Sequence, residues 1–479
     1  MIWVTVEEIA RALGAELSGP GDNAAVVTAL TVDSRMVVPG ALFVALPGEH
    51  VDGHDYVAAA LNAGAAAALT RHPVNDALCL VVVDPLVALG RLSRYLIDRS
   101  SGHGLCAIGI TGSVGKTSTK DLLAHVLEQA GPTVAAAGNL NNELGVPLTV
   151  GRIDAGTRFL VLEMGARGIG HIAYLCDIAP PRVGVVLNVG QAHVGEFGGQ
   201  AAIAQAKGEL VESLPADGWA VLNIDDPLVW AMRRRTKARV LPWSSTQRLE
   251  EGVWASGLVG DAYGRYSFTL HQRRAEKPER RKRVQLGLTG RHHVPNAVAA
   301  AAAALAIGLG LHQVAAALGA ATARSRWRME LHDRSDGVTV INDSYNANPD
   351  SMRAALNTLA ELGRSGRHTW AVLGDMLELG DTAVDEHAAI GRFAAEIGVE
   401  HLVAIGEYAV QLTGAAVAAG LASTRAVTVA DKPAAVAAVT AGLGPGDVVL
   451  VKASRGLALD TVADDILTAV APLPPEDPG

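Results

Sequence analysis

Apolar runs and polar breaks divide the chain into short strands alternating with amphipathic helices. Near the start, Val6, Ile9 and Leu13 share one helical face, and Thr5 with Glu8 has the spacing of a capping box. Between Thr31 and Ala65 two short strands end in polar or glycine-rich turns and an Ala-rich helix follows. Leu80 to Asp84 reads as a strand, Leu86 to Ile97 as a helix, and Ser100 to Gly104 as a linker. Beyond it, strands are expected at Cys106 to Gly109, Thr133 to Ala136, Phe159 to Leu162 and Val183 to Asn188, with helices over Leu122 to Leu127 and Ala201 to Leu214. That alternation is the signature of a parallel sheet covered by helices on both faces. Short alternating segments such as Tyr266 to Leu270 and Val284 to Leu288 predict a small antiparallel insertion between about Leu241 and Leu288. After an Ala-rich helix opening near Asn296, strands at Val338 to Asn342, Trp370 to Leu373, Leu402 to Ile405, Val427 to Val429 and Val448 to Val451 predict a second doubly wound sheet. The tail Pro472 to Gly479 is expected to be disordered.

The pattern implies three units, 1–103, 104–329 and 330–479, which 479 residues can furnish with cores of their own. With 49% hydrophobic but only 4% aromatic residues, Ala, Val and Leu must build those cores. Cys79, Cys106 and Cys176 stand singly in apolar runs and read as buried thiols of a reducing compartment. The first residues carry acids where a secretion signal needs a basic start, and no run reaches the roughly 18 apolar residues of a membrane span, so a soluble cytoplasmic protein is expected. A net charge of -9 argues against nucleic-acid binding, and the basic cluster Arg273 to Arg283 reads as a solvated loop tip.

Chemistry concentrates in Ile110 to Asp121, ITGSVGKTSTKD, between a strand and a helix. Gly112 and Gly115 let the loop turn its N-H groups toward a polyphosphate, the helix adds its positive end, Lys116 meets the β and γ phosphates, and the Thr117 hydroxyl meets Mg2+. The strict spacing would place a glycine at 110, where the chain has isoleucine, so this is a shorter TG-[ST]-x-GKT form. Glu163 ends a buried strand beside the loop and is a metal-ligand candidate, the other reading being a helix-capping acid. His193 follows the next strand end, where it is either structural or a second ligand. Lys207, alone in an apolar helix, reads by default as a surface lysine and is otherwise unexplained. In the first unit, Ser34, Arg35 and the Asp52-Gly53-His54 turn are crowded between apolar segments, which suits an anion or nucleotide site as well as a structural turn. Polar groups also end the strands of the last sheet, at Asn342 to Pro349, Gly374 to Met376 and Lys452 to Gly456. A carboxylate approaching a γ-phosphate at about 4 Å is repelled by roughly 1 kcal/mol in water and roughly 4 at an effective dielectric of 20, so cations and Lys116 are needed between them. A phosphate loop with one strand-end acid could serve a kinase, a motor or a ligase; a carboxylate-activating ligase would need this layout.

TGSVGKTSTKD, EMGA at Glu163, NVGQAHVGEFGG from Asn188, AKGE around Lys207, HHVPNAVAA around Asn296, INDSYNANPDSM from Ile341, LGDMLELG from Leu373 and VKASRG from Val451 together resemble the Mur ligase family, in order and over nearly the whole chain. The resemblance implies an α/β protein of three domains: a small N-terminal uridine-nucleotide domain, a central ATPase domain with a P-loop-type parallel sheet, and a Rossmann-like C-terminal domain. It implies ATP-dependent joining of D-Ala-D-Ala to UDP-muramoyl tripeptide through an acyl phosphate, by a monomer. Thr111, Gly112, Ser113, Val114, Gly115, Lys116, Thr117 and Ser118 would hold ATP phosphates, with Asn296 at the adenine, Arg328 reaching the phosphates and Asp343 at the ribose. Thr117 and Glu163 would hold one Mg2+, and His193 with a carbamylated Lys207 a second. Ser34, Arg35, Asp52, Gly53 and His54 would bind the uridine diphosphate, Asn139, Asn141 and Asn142 the muramoyl peptide, and Tyr345, Asn346, Asp375, Ser454 and Arg455 the dipeptide. Domain closure would hinge near residues 104 and 330. Two positions depart from the family pattern: Val114 stands inside the loop where a small polar residue is usual, and Trp327 where a glycine often precedes the arginine, which leaves Arg326 a rival to Arg328.

Overall fold

The computed structural model describes residues 1–48, 51–102, 104–190 and 199–469. Its N-terminal sheet has the strand order Glu16–Ser18, Cys79–Val81, Ala67–Thr70, Ala41–Val44, Ala29–Thr31, parallel except for the first strand. Thr5 and Glu8 form the expected capping box at the start of the Val6–Leu13 helix, whose Val6, Ile9 and Leu13 enter the core. The Ser100 to Gly104 stretch is not all linker. The Pro85–Ser101 helix runs through its serines, whose hydroxyls donate to Leu96 O and Ile97 O and so satisfy themselves within the helix.

The central sheet is larger than its sequence pattern suggests. Nine strands run in the order Arg280–Thr289, Arg265–Arg273, Gly252–Gly260, Arg239–Ser244, Trp219–Asn223, Val183–Val186, Cys106–Thr111, Phe159–Glu163, Thr133–Ala135. The segment from 241 onward is therefore no separate insertion. Arg239–Ser244 pairs parallel with Trp219–Asn223, Gly252–Gly260 adds parallel to it, and only the last two strands are antiparallel, extending the same sheet. The basic cluster is likewise partly strand: Arg273 ends one strand and Arg280 to Arg283 open the next, which forms the sheet's edge, all exposed. The His293–Ala306 helix is almost wholly buried and packs closely on the Lys116–Glu128 helix, an approach its run of alanines permits.

The C-terminal sheet has the order Glu330–Asp333, Thr339–Asn342, Val448–Lys452, Thr369–Gly374, His401–Ile405, Ala426–Val429. Five strands are those expected; Glu330–Asp333, an antiparallel edge, was not. Apolar clusters lie on both faces, as a doubly wound sheet requires.

Candidate active site

Three parallel strands end together at one edge of the central sheet, with Glu163 opposite Ile110 and Val186 opposite Thr111. From Thr111 the chain turns through Gly112 to Gly115 into the Lys116–Glu128 helix. Gly115 takes φ +84°, and a Cβ there would stand 2.4 Å from Asn296 Oδ1, so both backbone and space demand glycine. The loop's amides are not all turned to a ligand. Asn188 Oδ1 accepts from Ser113 N and Val114 N, both at 2.9 Å, while its Nδ2 donates to Val114 O. What the loop offers an anion is the unpaired first turn of the helix, from Lys116 onward. The Lys116 ammonium donates to Gly112 O at 2.8 Å and Ser113 O at 3.3 Å. Val114 fits because its backbone, not its side chain, is what Asn188 grips.

Glu163 is 2% exposed; it accepts from Thr117 Oγ1 at 2.8 Å on one oxygen and from Asn141 Nδ2 at 2.9 Å on the other. It caps no helix, since the next one starts at Gly170. A hydroxyl and a carboxylate this close suit Mg2+, which draws its remaining ligands from phosphates and water; among the described residues no group of three His, Cys, Asp or Glu could hold a metal unaided. Lys207 is not the surface lysine of the default reading. On the Gln200–Glu212 helix it is 6% exposed, without a hydrogen-bond partner among the described residues, and burial, aided by the Lys116 charge, pulls its ammonium down to about 7. Burial also holds Lys116 below the ordinary lysine value, opposed by Glu163 and reinforced by Arg328. His193 lies outside the described residues.

These groups line a cavity of about 540 Å3 whose far wall belongs to the C-terminal sheet. Gly112 to Ser118, Asn139, Asn141, Asn142, Glu163, Lys207 and Asn296 face Arg328, Asp343, Tyr345 and Asn346 across it. The Arg328 guanidinium lies 4.2 Å over the Tyr345 ring, and its buried Nε has no partner. Arg326 instead lies on the Trp327 ring outside the cavity, so Arg328 is the arginine that enters. The Asp343 carboxylate receives Lys452 Nζ at 2.6 Å and Met329 N at 3.0 Å. Asn142 Oδ1 accepts from Gly145 N, the first residue of a short helix, at 2.8 Å. Thr111 is buried behind the cavity at its strand's end.

Other lining groups carried no sequence assignment: Asn188, Lys452, His292, His293, Asn223 and Trp243. The first four stand inside the motifs quoted above, which was the available signal; Asn223 and Trp243 had none beyond ending apolar strands. Burial holds His292 down at about 4, with Lys452 adding and Asp343 opposing, and holds His293 well below the usual value.

The remaining predicted residues do not reach this cavity. On the N-terminal unit, His54 Nε2 accepts from Arg71 N at 2.9 Å, which leaves the Nδ1 proton for Asp52, 2.6 Å away. Gly53 packs against Leu46 backbone, where a Cβ would stand 2.7 Å from it. Exposed Arg35, next to Ser34, forks onto Asp33 and holds that carboxyl down at about 2. In the C-terminal unit, Asp375 accepts from Glu407 N and Tyr408 N at a helix start, Ser454 Oγ accepts from Leu377 N, and Arg455 pairs with Asp460.

Comparison with known proteins agrees with this layout over the full length. Family profiles described as the Mur ligase middle domain, the Mur ligase glutamate ligase domain and the Mur ligase family catalytic domain match residues 110–304, 327–455 and 26–89. The UDP-N-acetylmuramoyl-tripeptide--D-alanyl-D-alanine ligase of Mycobacterium tuberculosis (strain H37Rv) is 46% identical over 98% of both chains. A crystal structure of MurF from Acinetobacter baumannii superposes with a TM-score of 0.85 at 30% identity, over 98% of this chain and 99% of that one. MurF ligase from Thermotoga maritima in complex with ADP superposes with a TM-score of 0.77 at 25% identity, over 92% and 97%. A phosphate loop, a strand-end carboxylate and a facing C-terminal sheet, found in one chain with this likeness throughout, make it a member of the Mur ligase family.

Proposed function

We propose that the chain is the ATP-dependent ligase that joins D-alanyl-D-alanine to UDP-N-acetylmuramoyl-tripeptide, giving ADP and phosphate in cytoplasmic peptidoglycan precursor synthesis. The observation that carries it is the shared cavity, in which Lys116, Thr117 and Glu163 of the central unit face Tyr345 and Asn346 of the C-terminal unit, with Arg328 at the junction of the two, under a full-length likeness to ligases of that name. The tripeptide's terminal carboxylate attacks the γ-phosphorus and ADP leaves; the dipeptide amine then attacks the acyl phosphate, loses a proton and expels inorganic phosphate. Lys116 and Arg328 offset the charge gathered where two anions meet, and the first helical turn holds the phosphates. Thr117 and Glu163 hold one Mg2+, and His193 with Lys207 a second; bound cations lower the repulsion between carboxylate and phosphate.

A Lys207 with its proton affinity down at about 7 is largely neutral above that pH, the form that takes up CO2, and a carbamate there would supply the anion a second cation needs. Asn296 serves the adenine and Asp343, once freed from Lys452, the ribose. Ser34, Arg35 and the Asp52 to His54 turn serve the uridine diphosphate from the N-terminal unit, Asn139, Asn141 and Asn142 the peptide, and Asn346, Ser454 and Arg455 the dipeptide. Asp375 fits that role least, because its oxygens already serve two amides. No helix among the described residues is long and apolar enough to cross a membrane, and the enzyme acts as a monomer. The test is phosphate release from ATP with UDP-muramoyl tripeptide, with and without D-Ala-D-Ala. Turnover that requires both supports the reading, and release indifferent to the dipeptide overturns it.

A further inference from the structure

Trp327 and Met329, on either side of Arg328, both adopt left-handed backbone conformations, with φ +58° and +51°. Neither residue type enters that region readily, so the surroundings must hold them there. Those surroundings belong to the C-terminal unit. Trp327 N donates to Glu330 Oε2 at 2.9 Å, Trp327 O accepts from Tyr345 N at 3.1 Å, and Met329 N donates to Asp343. The indole ring carries two guanidinium groups, Arg326 at 5.1 Å and Arg455 at 4.2 Å, and Arg455 is itself fixed by Asp460.

Two residues earlier the chain is tied elsewhere. Ser325 Oγ donates to Asp121 at 2.6 Å, and Arg324 holds Glu128 and His125, all three partners on the phosphate-loop helix. The chain passes from one unit to the other across exposed Arg326. Glycine at 327 would adopt φ +58° without cost, so tryptophan is not there for the backbone. What it adds is an aromatic face for Arg455.

We propose that Trp327 is a positioning residue, clamping Arg328 to the C-terminal unit and so fixing where its guanidinium meets the ATP phosphates. The inference rests on the ATP-dependent ligase reading for its chemistry, but its test reads binding alone. Affinity for the β,γ-imido analogue of ATP with Mg2+ is measured by titration calorimetry on the full chain, for Trp327→Gly, Trp327→Tyr, Arg328→Ala and the Trp327→Gly/Arg328→Ala double variant. Arg328→Ala should weaken binding about tenfold, the loss of one hydrogen-bonded charge. Trp327→Gly should do nearly the same with its backbone unstrained, and Trp327→Tyr should stay within about twofold of the wild type. Because Trp327 acts through Arg328, the double variant should bind no more weakly than Arg328→Ala. Wild-type affinity in Trp327→Gly, or losses that multiply in the double variant, overturn the proposal. A wild type that binds the analogue yet never turns over the tripeptide and dipeptide counts against the ligase reading and leaves the clamp standing on its binding data.

Discussion

Glu163 and Asp375 hold equivalent places in two sheets, each a nearly buried carboxylate at the carboxyl end of a parallel strand, in the stretches EMG and GDM. Their surroundings separate them. Glu163 is met by a hydroxyl and a carboxamide, neutral donors that a cation displaces at little cost, and its oxygens line the cavity. Asp375 is met by two backbone amides at the start of a helix, which no ligand can supply with other partners. Gly406 stands against it so closely that a Cβ would fall 2.4 Å from its oxygen. Position at a strand end sets where a carboxylate lies; the donors around it decide whether it is available for chemistry or already used for stability.

The sharpest way to break this contrast is to remove each charge and read activity and stability separately. Glu163→Gln should lower kcat/KM for ATP about a thousandfold while moving the urea midpoint little, since glutamine keeps an oxygen for Thr117, Asn141 can turn its carboxamide oxygen to the new amide, and the charge a cation needs is gone. Comparable activity in this variant would place the metal elsewhere. Lys207→Ala tests the same wall of the cavity at a second position, with an expected loss of about a hundredfold. If a carbamate is the working group, short carboxylates such as acetate should restore part of that activity. Asp375→Ala should give the reverse profile: loss of about 1 to 2 kcal/mol of stability in the C-terminal unit, from two half-buried amides at a helix start left without their acceptor, seen as a shifted urea midpoint. A large effect on dipeptide KM without that shift would return Asp375 to the substrate site.

How much of this was legible follows from what each feature depends on. The phosphate loop, the Glu163 strand end and five of the six C-terminal strands depend on local pattern, and the chain displays them directly. Asn188 gripping the loop from 75 residues away, and Lys452 occupying Asp343, depend on register between strands that no single segment records. The last strands of the central sheet were read as a separate insertion because their alternation is genuine; which sheet they join is decided by the parallel pairing of Arg239–Ser244 with Trp219–Asn223. Lys207 stood out as an oddity in its helix, but its burial came only with the sheet beneath it.

The smallest of the expected effects concerns protons on the cavity's other wall. His292 sits at about 4 in the fold against an ordinary value near 6.5, burial being the main cause. Between those values the unfolded chain binds a proton there and the folded chain does not. Stability from this group is therefore complete above about pH 6.5 and is lost as pH falls toward 4, by about 2 kcal/mol at pH 5. Carboxylates change stability over the same range, so the measurement is a difference: urea midpoints of wild type and His292→Gln at pH 7.5 and pH 5. The variant keeps His293 but has lost one of the two buried imidazoles that must stay neutral, and its stability should fall less between the two pH values than that of the wild type. Parallel falls would mean that His292 picks up its proton in the folded state without cost, and that the cavity's wall is as open to charge at His292 as its floor is at Glu163.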